Sequence, residues 1–180
     1  MNKYTVFSSD HEILGFMILS YQFAIDRDDF LGFYEEEGLN QVQPDKWYPA
    51  QKVLNVFNAL AERGGEMTDF VSIGMAVSMQ VPLPPETKKL PPEAVLMGIL
   101  SAAKDVNRGS NVGYDCCYQD GPGHLRYELC SPMPDDVFYG LIYGMARRLL
   151  PEGTPFTVTY DSHLPRREDG GSHTVIHLKW

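Results

Sequence analysis

The stretch Tyr114-Asp115-Cys116-Cys117-Tyr118-Gln119-Asp120-Gly121-Pro122-Gly123-His124-Leu125-Arg126-Tyr127-Glu128-Leu129-Cys130 switches the chain from a helical period to a period of two. Tyr114, Cys116 and Tyr118 fall on one side, Asp115, Cys117 and Gln119 on the other. After Asp120-Gly121-Pro122-Gly123, Leu125, Tyr127 and Leu129 alternate with Arg126, Glu128 and Cys130. Successive strand side chains point to opposite faces, so alternation on both sides of a Gly/Pro/Asp turn predicts a β-hairpin. Pro132 and Pro134 end it. Residues 135–150 then place Val137, Phe138, Leu141, Ile142, Met145 and Leu149 at helical spacing. Asp135-Asp136 open this helix and Arg147-Arg148 close it, each with the sign the helix dipole favours. Past Pro151 and Gly153, Phe156, Val158 and Tyr160 alternate with Thr157, Thr159 and Asp161. A polar loop, 162–172, leads to a last strand at 173–180. Residues 107–180 are therefore expected to form a strand–strand–helix–strand–strand block.

Upstream the period is helical. Ser9 or Asp10 is a candidate cap for a helix carrying Ile13, Phe16, Met17, Tyr21 and Ile25. Phe30, Leu31 and Tyr34 suggest a short second helix ended by Gly38. Val53, Leu54, Phe57, Leu60 and Ala61 form the stripe of a third, stopped by Gly64-Gly65. In residues 68–81, Val71, Met75, Val77 and Met79 fit a buried helix or a strand, with helix the favoured reading, and the proline-rich 81–92 is a connection. Val95, Leu96, Ile99, Leu100 and Ala103 predict one helix over 93–106, ended by Asn107-Arg108-Gly109. Gly140 and Gly144 share a helix face and are expected to let it approach a sheet or a neighbouring helix closely, with the sheet the favoured partner. The expected class is α+β, with N-terminal helices packed on a C-terminal antiparallel sheet, as a single domain spanning 1–180.

The 180 residues are 43% hydrophobic and 12% aromatic, enough for a sizeable core. The net charge is −9, and the basic residues are scattered. Nucleic acid is therefore not an expected partner, since its phosphates call for a basic patch. The apolar run 13–25 is broken by Gly15, Ser20 and Gln22 and is too short for a membrane span. Three cysteines, Cys116, Cys117 and Cys130, make neither a disulfide framework nor a Cys-x-x-Cys zinc pair. Free thiols in a reducing cytoplasm are expected.

No Gly-x-Ser-x-Gly, His-Glu-x-x-His, P-loop or Gly-x-Gly-x-x-Gly motif is present, so no catalytic residue is assigned and enzymatic activity is not expected. His173 and His177 share a strand face but stand roughly 13 Å apart at ~3.3 Å per residue, too far for one metal ion. No metal ligand is assigned, and no cofactor is identified. Arg108, in the Gly-rich stretch 107–113, is suited to a carboxylate or phosphate. Trp47, Tyr48, Tyr114, Tyr118, Tyr127 and Phe138 combine apolar area, in most cases with a polar handle, the mix of a small-molecule pocket. With Arg108 and Cys116 they are the candidate ligand-binding residues.

The order of features resembles a known group. Trp47-Tyr48-Pro49 precedes a helix, and Asn107-Arg108-Gly109 with Val112-Gly113-Tyr114 leads into the hairpin. Ser131-Pro132-Met133-Pro134-Asp135-Asp136, Tyr139-Gly140 and Gly144-Met145-Ala146-Arg147 make the helix, and Gly170-Gly171 precedes the final Trp180. Over about 47–180 this resembles the 4-vinyl-reductase-like ligand-binding domains, which are similar to haem nitric-oxide-binding-associated proteins and to TRAPP-type transport subunits. The resemblance implies an antiparallel sheet packed on helices, a homodimer and a small hydrophobic ligand. Where that family often carries cysteines in its last loop and strand, His163 and His173 stand here. The haem-binding Tyr-x-Ser-x-Arg pattern is absent, so haem is not expected. A small-molecule sensor is the leading expectation; reduction of a tetrapyrrole vinyl group and a protein–protein assembly module are the alternatives.

Overall fold

The computed structural model describes residues 3–25, 28–63, 69–100 and 103–180. The elements run β1 (Glu12–Leu14), α1 (Gly15–Ala24), α2 (Asp28–Glu36), β2 (Trp47–Pro49), α3 (Ala50–Arg63), α4 (Phe70–Gln80), α5 (Pro92–Gly98), α6 (Ala103–Val106), β3 (Asn107–Arg108), β4 (Tyr114–Gly121), β5 (His124–Cys130), α7 (Asp135–Leu149), β6 (Thr157–Tyr160) and β7 (Thr174–Lys179). The fold is α+β, as its alternating periods predict. The main sheet is antiparallel in the order β4-β5-β7-β6, and a small sheet has the order β2-β1-β3.

The hairpin β4–β5 pairs Tyr114 with Cys130 and Tyr118 with Arg126, and its register shifts between Gln119 and Gly121. Leu125, Tyr127 and Leu129 point inward and are buried. With Ile142, Met145 and Ala146 of α7 and Ile176 and Leu178 of β7 they make one core cluster. A second cluster joins Ile18 and Tyr21 of α1 to Val53, Leu54, Phe57 and Leu60 of α3 and Val77 of α4. Tyr4 is sewn onto it through Asn58, whose Oδ1 accepts from Tyr4 N (2.9 Å) while its Nδ2 donates to Tyr4 O (2.8 Å).

Helices α4 and α7 join the two clusters. A Cβ on Gly140 would lie 2.0 Å from Val71 O, one on Gly74 2.0 Å from Val137 O, and one on Gly144 2.1 Å from Ser78 Oγ. The glycine face of α7 therefore seats on a helix, where the sequence pattern suggested the sheet. Small residues on both surfaces set the interhelical distance. Arg148 reinforces the crossing by donating to Ser78 O and, at 3.2 Å, to Val81 O, at the C-terminal end of α4.

Other sequence expectations are corrected. The helix expected over 93–106 is described as two pieces, α5 ending at Gly98 and α6 starting at Ala103. Glycine is the weakest helix former after proline. Asn107 and Arg108 form a strand on β1 where a simple connection was expected. The first helix begins at Gly15, because Glu12–Leu14 is strand β1. The Gly64-Gly65 stop falls outside the described residues. Among the described residues no helix is long and apolar enough to cross a membrane.

Candidate functional site

A cavity of about 460 Å³ lies between the two core clusters. It falls within the ~300–1,000 Å³ common for small-molecule sites. The N-terminal helices supply Phe16, Met17 and Tyr21 from α1, Ala50, Val53 and Leu54 from α3, and Val77 from α4. Helix α7 contributes Val137, Phe138 and Leu141. Strand β4 closes one side with Tyr114, Asp115 and Cys116, and Cys130 to Met133 follow from the end of β5. The apolar stripes that fold each helix onto its neighbour thus also face the cavity.

Polar groups in the wall are few. His11 is buried, and its Nε2 lies 3.0 Å from Asn107 Oδ1. The amide oxygen can only accept, so Nε2 carries the proton and Nδ1 is left as an acceptor. That Nδ1 is buried without a hydrogen-bond partner. Lys104, Asp105 and Asp115 also line the wall. Burial pushes the Asp115 carboxyl above its ordinary pKa, an effect the Lys104 charge partly offsets. Tyr21 is raised by burial as well and stays a neutral phenol.

The sequence-derived candidates divide. Tyr114, Cys116 and Phe138 meet at the cavity. Trp47 lies under the Arg108 guanidinium, 4.5 Å from ring centroid to Cζ. Arg108 is already matched to a carboxylate, Glu12, through Nε (2.7 Å) and Nη2 (2.6 Å), so this trio fastens β2, β1 and β3 together. Tyr48 packs against the first cluster, and its hydroxyl accepts from Gln43 N at 2.8 Å. Tyr118 stacks beneath Arg126 on the outer side of the hairpin. Tyr127 is fully buried and donates to Leu96 O at 3.1 Å. Burial pushes the Cys117 thiol up to about 11, which disfavours the thiolate a nucleophile needs.

Sequence reasoning missed His11 and the contribution of α1, α3 and α4. Their stripes at Phe16, Met17, Val53, Leu54 and Val77 carry the same apolar signal whether they meet a neighbour or a cavity.

No protein-family model matches the chain, and no curated protein sequence does. Solved structures do match. An H-NOX protein from S. oneidensis in the Fe(II)NO ligation state is 12% identical, with 93% of this chain and 98% of that one covered at a TM-score of 0.68. A Tt H-NOX double variant is 14% identical, covering 93% and 95% at 0.65. A Cs H-NOX mutant carrying 4-cyano-L-phenylalanine is 16% identical, covering 93% and 96% at 0.61. The chain is similar to these over nearly its whole length, beyond the 47–180 span of the sequence resemblance, and the shared property is the fold. They support the haem-nitric-oxide side of that resemblance; its vinyl-reductase and transport-subunit sides gain no support.

Proposed function

We propose that this chain is a single, non-catalytic sensor or binding domain that takes an uncharged, largely apolar small molecule in the cavity between its two core clusters. The observation that carries the reading is that cavity: about 460 Å³, walled by aliphatic and aromatic side chains, in an H-NOX-like fold. Tyr114, Cys116 and Phe138 supply contact area, and the unpaired Nδ1 of His11 is an acceptor able to orient one donor group.

The fold raises the question of haem, which the H-NOX relatives carry. The lining residues do not fit it. His11 is the one imidazole among the described lining residues, and Asn107 holds its Nε2. Asp105 and Asp115 line the wall and Lys104 is the single described lining cation, a poor match for the two carboxylates of a porphyrin. The ligand class that suits this wall is smaller, uncharged and metal-free. A homodimeric, cytoplasmic protein belongs to the same reading, and sedimentation velocity checks the dimer.

The experiment is a comparison of thermal unfolding with uncharged apolar compounds and with haemin, alongside the absorption spectrum. Expected are a rise in Tm with some apolar compounds and no shifted, stoichiometric Soret band with haemin. A Soret band of one haem per chain that disappears in His11→Ala would replace this reading with a haem protein.

A further inference from the structure

His124 opens β5, and His177 lies on β7 opposite Arg126, two residues along from His124. The diagonal offset brings the two imidazoles together, with ring centroids 5.1 Å apart and His124 Nε2 2.9 Å from His177 Nδ1. The other nitrogen of His177, Nε2, is 3.1 Å from Asp161 Oδ2. Asp161 is itself fixed, since its Oδ1 accepts from the backbone N–H groups of His163 (2.7 Å) and Leu164 (3.0 Å). Asp120 sits where the hairpin register shifts. Such irregularities re-aim side chains, and here the carboxylate is brought beside the two rings. One ligand atom from each of Asp120, His124 and His177 lies within 4.8 Å of the others.

We propose that Asp120, His124 and His177 form a binding site for a divalent transition-metal ion, zinc by preference, with Asp161 as the group that orients His177. None of these residues lines the cavity, so the site is independent of the ligand reading. Two imidazoles and one carboxylate are a common zinc donor set that leaves the fourth tetrahedral position for water. Two nitrogens on one tetrahedral zinc stand about 3.3 Å apart at bond lengths of about 2.0–2.1 Å. The present 2.9 Å therefore has to open by only a few tenths of an ångström. Proton bookkeeping also closes. His177 donates Nε2–H to Asp161, which leaves its Nδ1 lone pair free. Without metal, His124 donates Nε2–H to that lone pair. With metal, the His124 proton moves to Nδ1 through solvent, and both facing nitrogens bind the ion with no net proton lost.

A carboxylate behind a histidine ligand is the usual means of fixing ring orientation and raising ligand basicity. Arg126 steadies the Asp120 carboxylate by donating to its Oδ2 at 2.8 Å. The pattern was invisible in sequence, where the histidine pair on one strand was His173 and His177. In the structure His173 pairs with Ser172 Oγ at 2.8 Å, and the partner of His177 comes from another strand.

The test uses tag-free protein titrated with Zn²⁺ by calorimetry, and with Co²⁺ for its ligand-field absorption. One zinc per chain is expected, with a rise in Tm because the ion clips the β4–β5 turn to β7. His177→Gln and Asp120→Asn should abolish or severely weaken binding, the latter at an exposed position where folding is not in question. Asp161→Asn should weaken it about 10–100-fold, and His163→Ala should leave it unchanged. The proposal is overturned if the wild type shows no saturable zinc binding. It is equally overturned if zinc binds His177→Gln and Asp120→Asn as it binds the wild type.

Discussion

Replacing Gly140 by alanine tests the packing account at its tightest point. The added Cβ would lie 2.0 Å from Val71 O, 2.8 Å from Val71 C and 2.9 Å from Met75 N. These atoms belong to a helix backbone and cannot rotate away. Restoring ordinary contact at 3.4 Å requires α7 to withdraw from α4 by about 1.4 Å along that line. A gap of only ~0.5–1 Å already forfeits a quarter to a half of the dispersion well for each separated atom pair. Overpacking of this kind costs about 1–3 kcal/mol and sometimes more. Against it stands a helix-propensity gain of about 1 kcal/mol for Gly→Ala. Because the opened seam also separates Ile73 and Val77 from Val137, we expect a net loss of about 2 kcal/mol. Gly32→Ala is the matched control: Gly32 lies in α2, is exposed and has nothing within 4 Å of its would-be Cβ. There the same substitution should stabilise by about 0.5–1 kcal/mol. Urea unfolding followed by circular dichroism reads both. The reasoning is refuted if Gly140→Ala stays within about 0.5 kcal/mol of wild type, the usual range for a surface change, or if both variants shift the same way.

Asn58→Ala should cost about 1–3 kcal/mol, because Tyr4 N loses its buried partner while Tyr4 O keeps Gln51 Nε2 at 3.4 Å; equilibrium unfolding measures it. Asp161 should make stability pH-dependent. Its carboxyl is lowered from 3.8 to about 2 in the folded chain, so its contribution is complete above about 4 and drains away as pH falls toward 2. Asp161→Asn should flatten the Tm profile across that window, and an unchanged slope would count against the His177–Asp161 pairing. Tyr127→Phe leaves Leu96 O without its donor in the second cluster and should destabilise by about 1 kcal/mol with no change in the circular dichroism spectrum.

The C-terminal block was legible because its periods are clean. The inward Leu125, Tyr127 and Leu129 and the stripe of α7 carry the sign of their own burial. The small sheet was not, since pairings of three residues in β1 and β2 and two in β3 are too short to show a period. The partner of Gly140 and Gly144 was hidden as well. Small residues announce a close approach, but Val71 and Ser78 are assigned to it only by tertiary packing. About a third of the cavity wall comes from the apolar stripes of α1, α3, α4 and α7, which look like ordinary core. His124 and His177 meet through the register of β5 on β7, and Asp120 joins them where the β4–β5 register shifts, in a turn whose residues specify only that the chain reverses.

The most direct test of the central claim is titration with an uncharged, solvatochromic naphthalene dye, comparing wild type with Leu141→Trp. Leu141 lines the cavity and touches both core clusters, so an indole there fills the space between them. The account predicts a blue-shifted, saturable fluorescence signal of one dye per wild-type chain, and its loss in a Leu141→Trp protein that remains folded. Equal dye binding by both proteins would contradict the account, as would no saturable binding by the wild type.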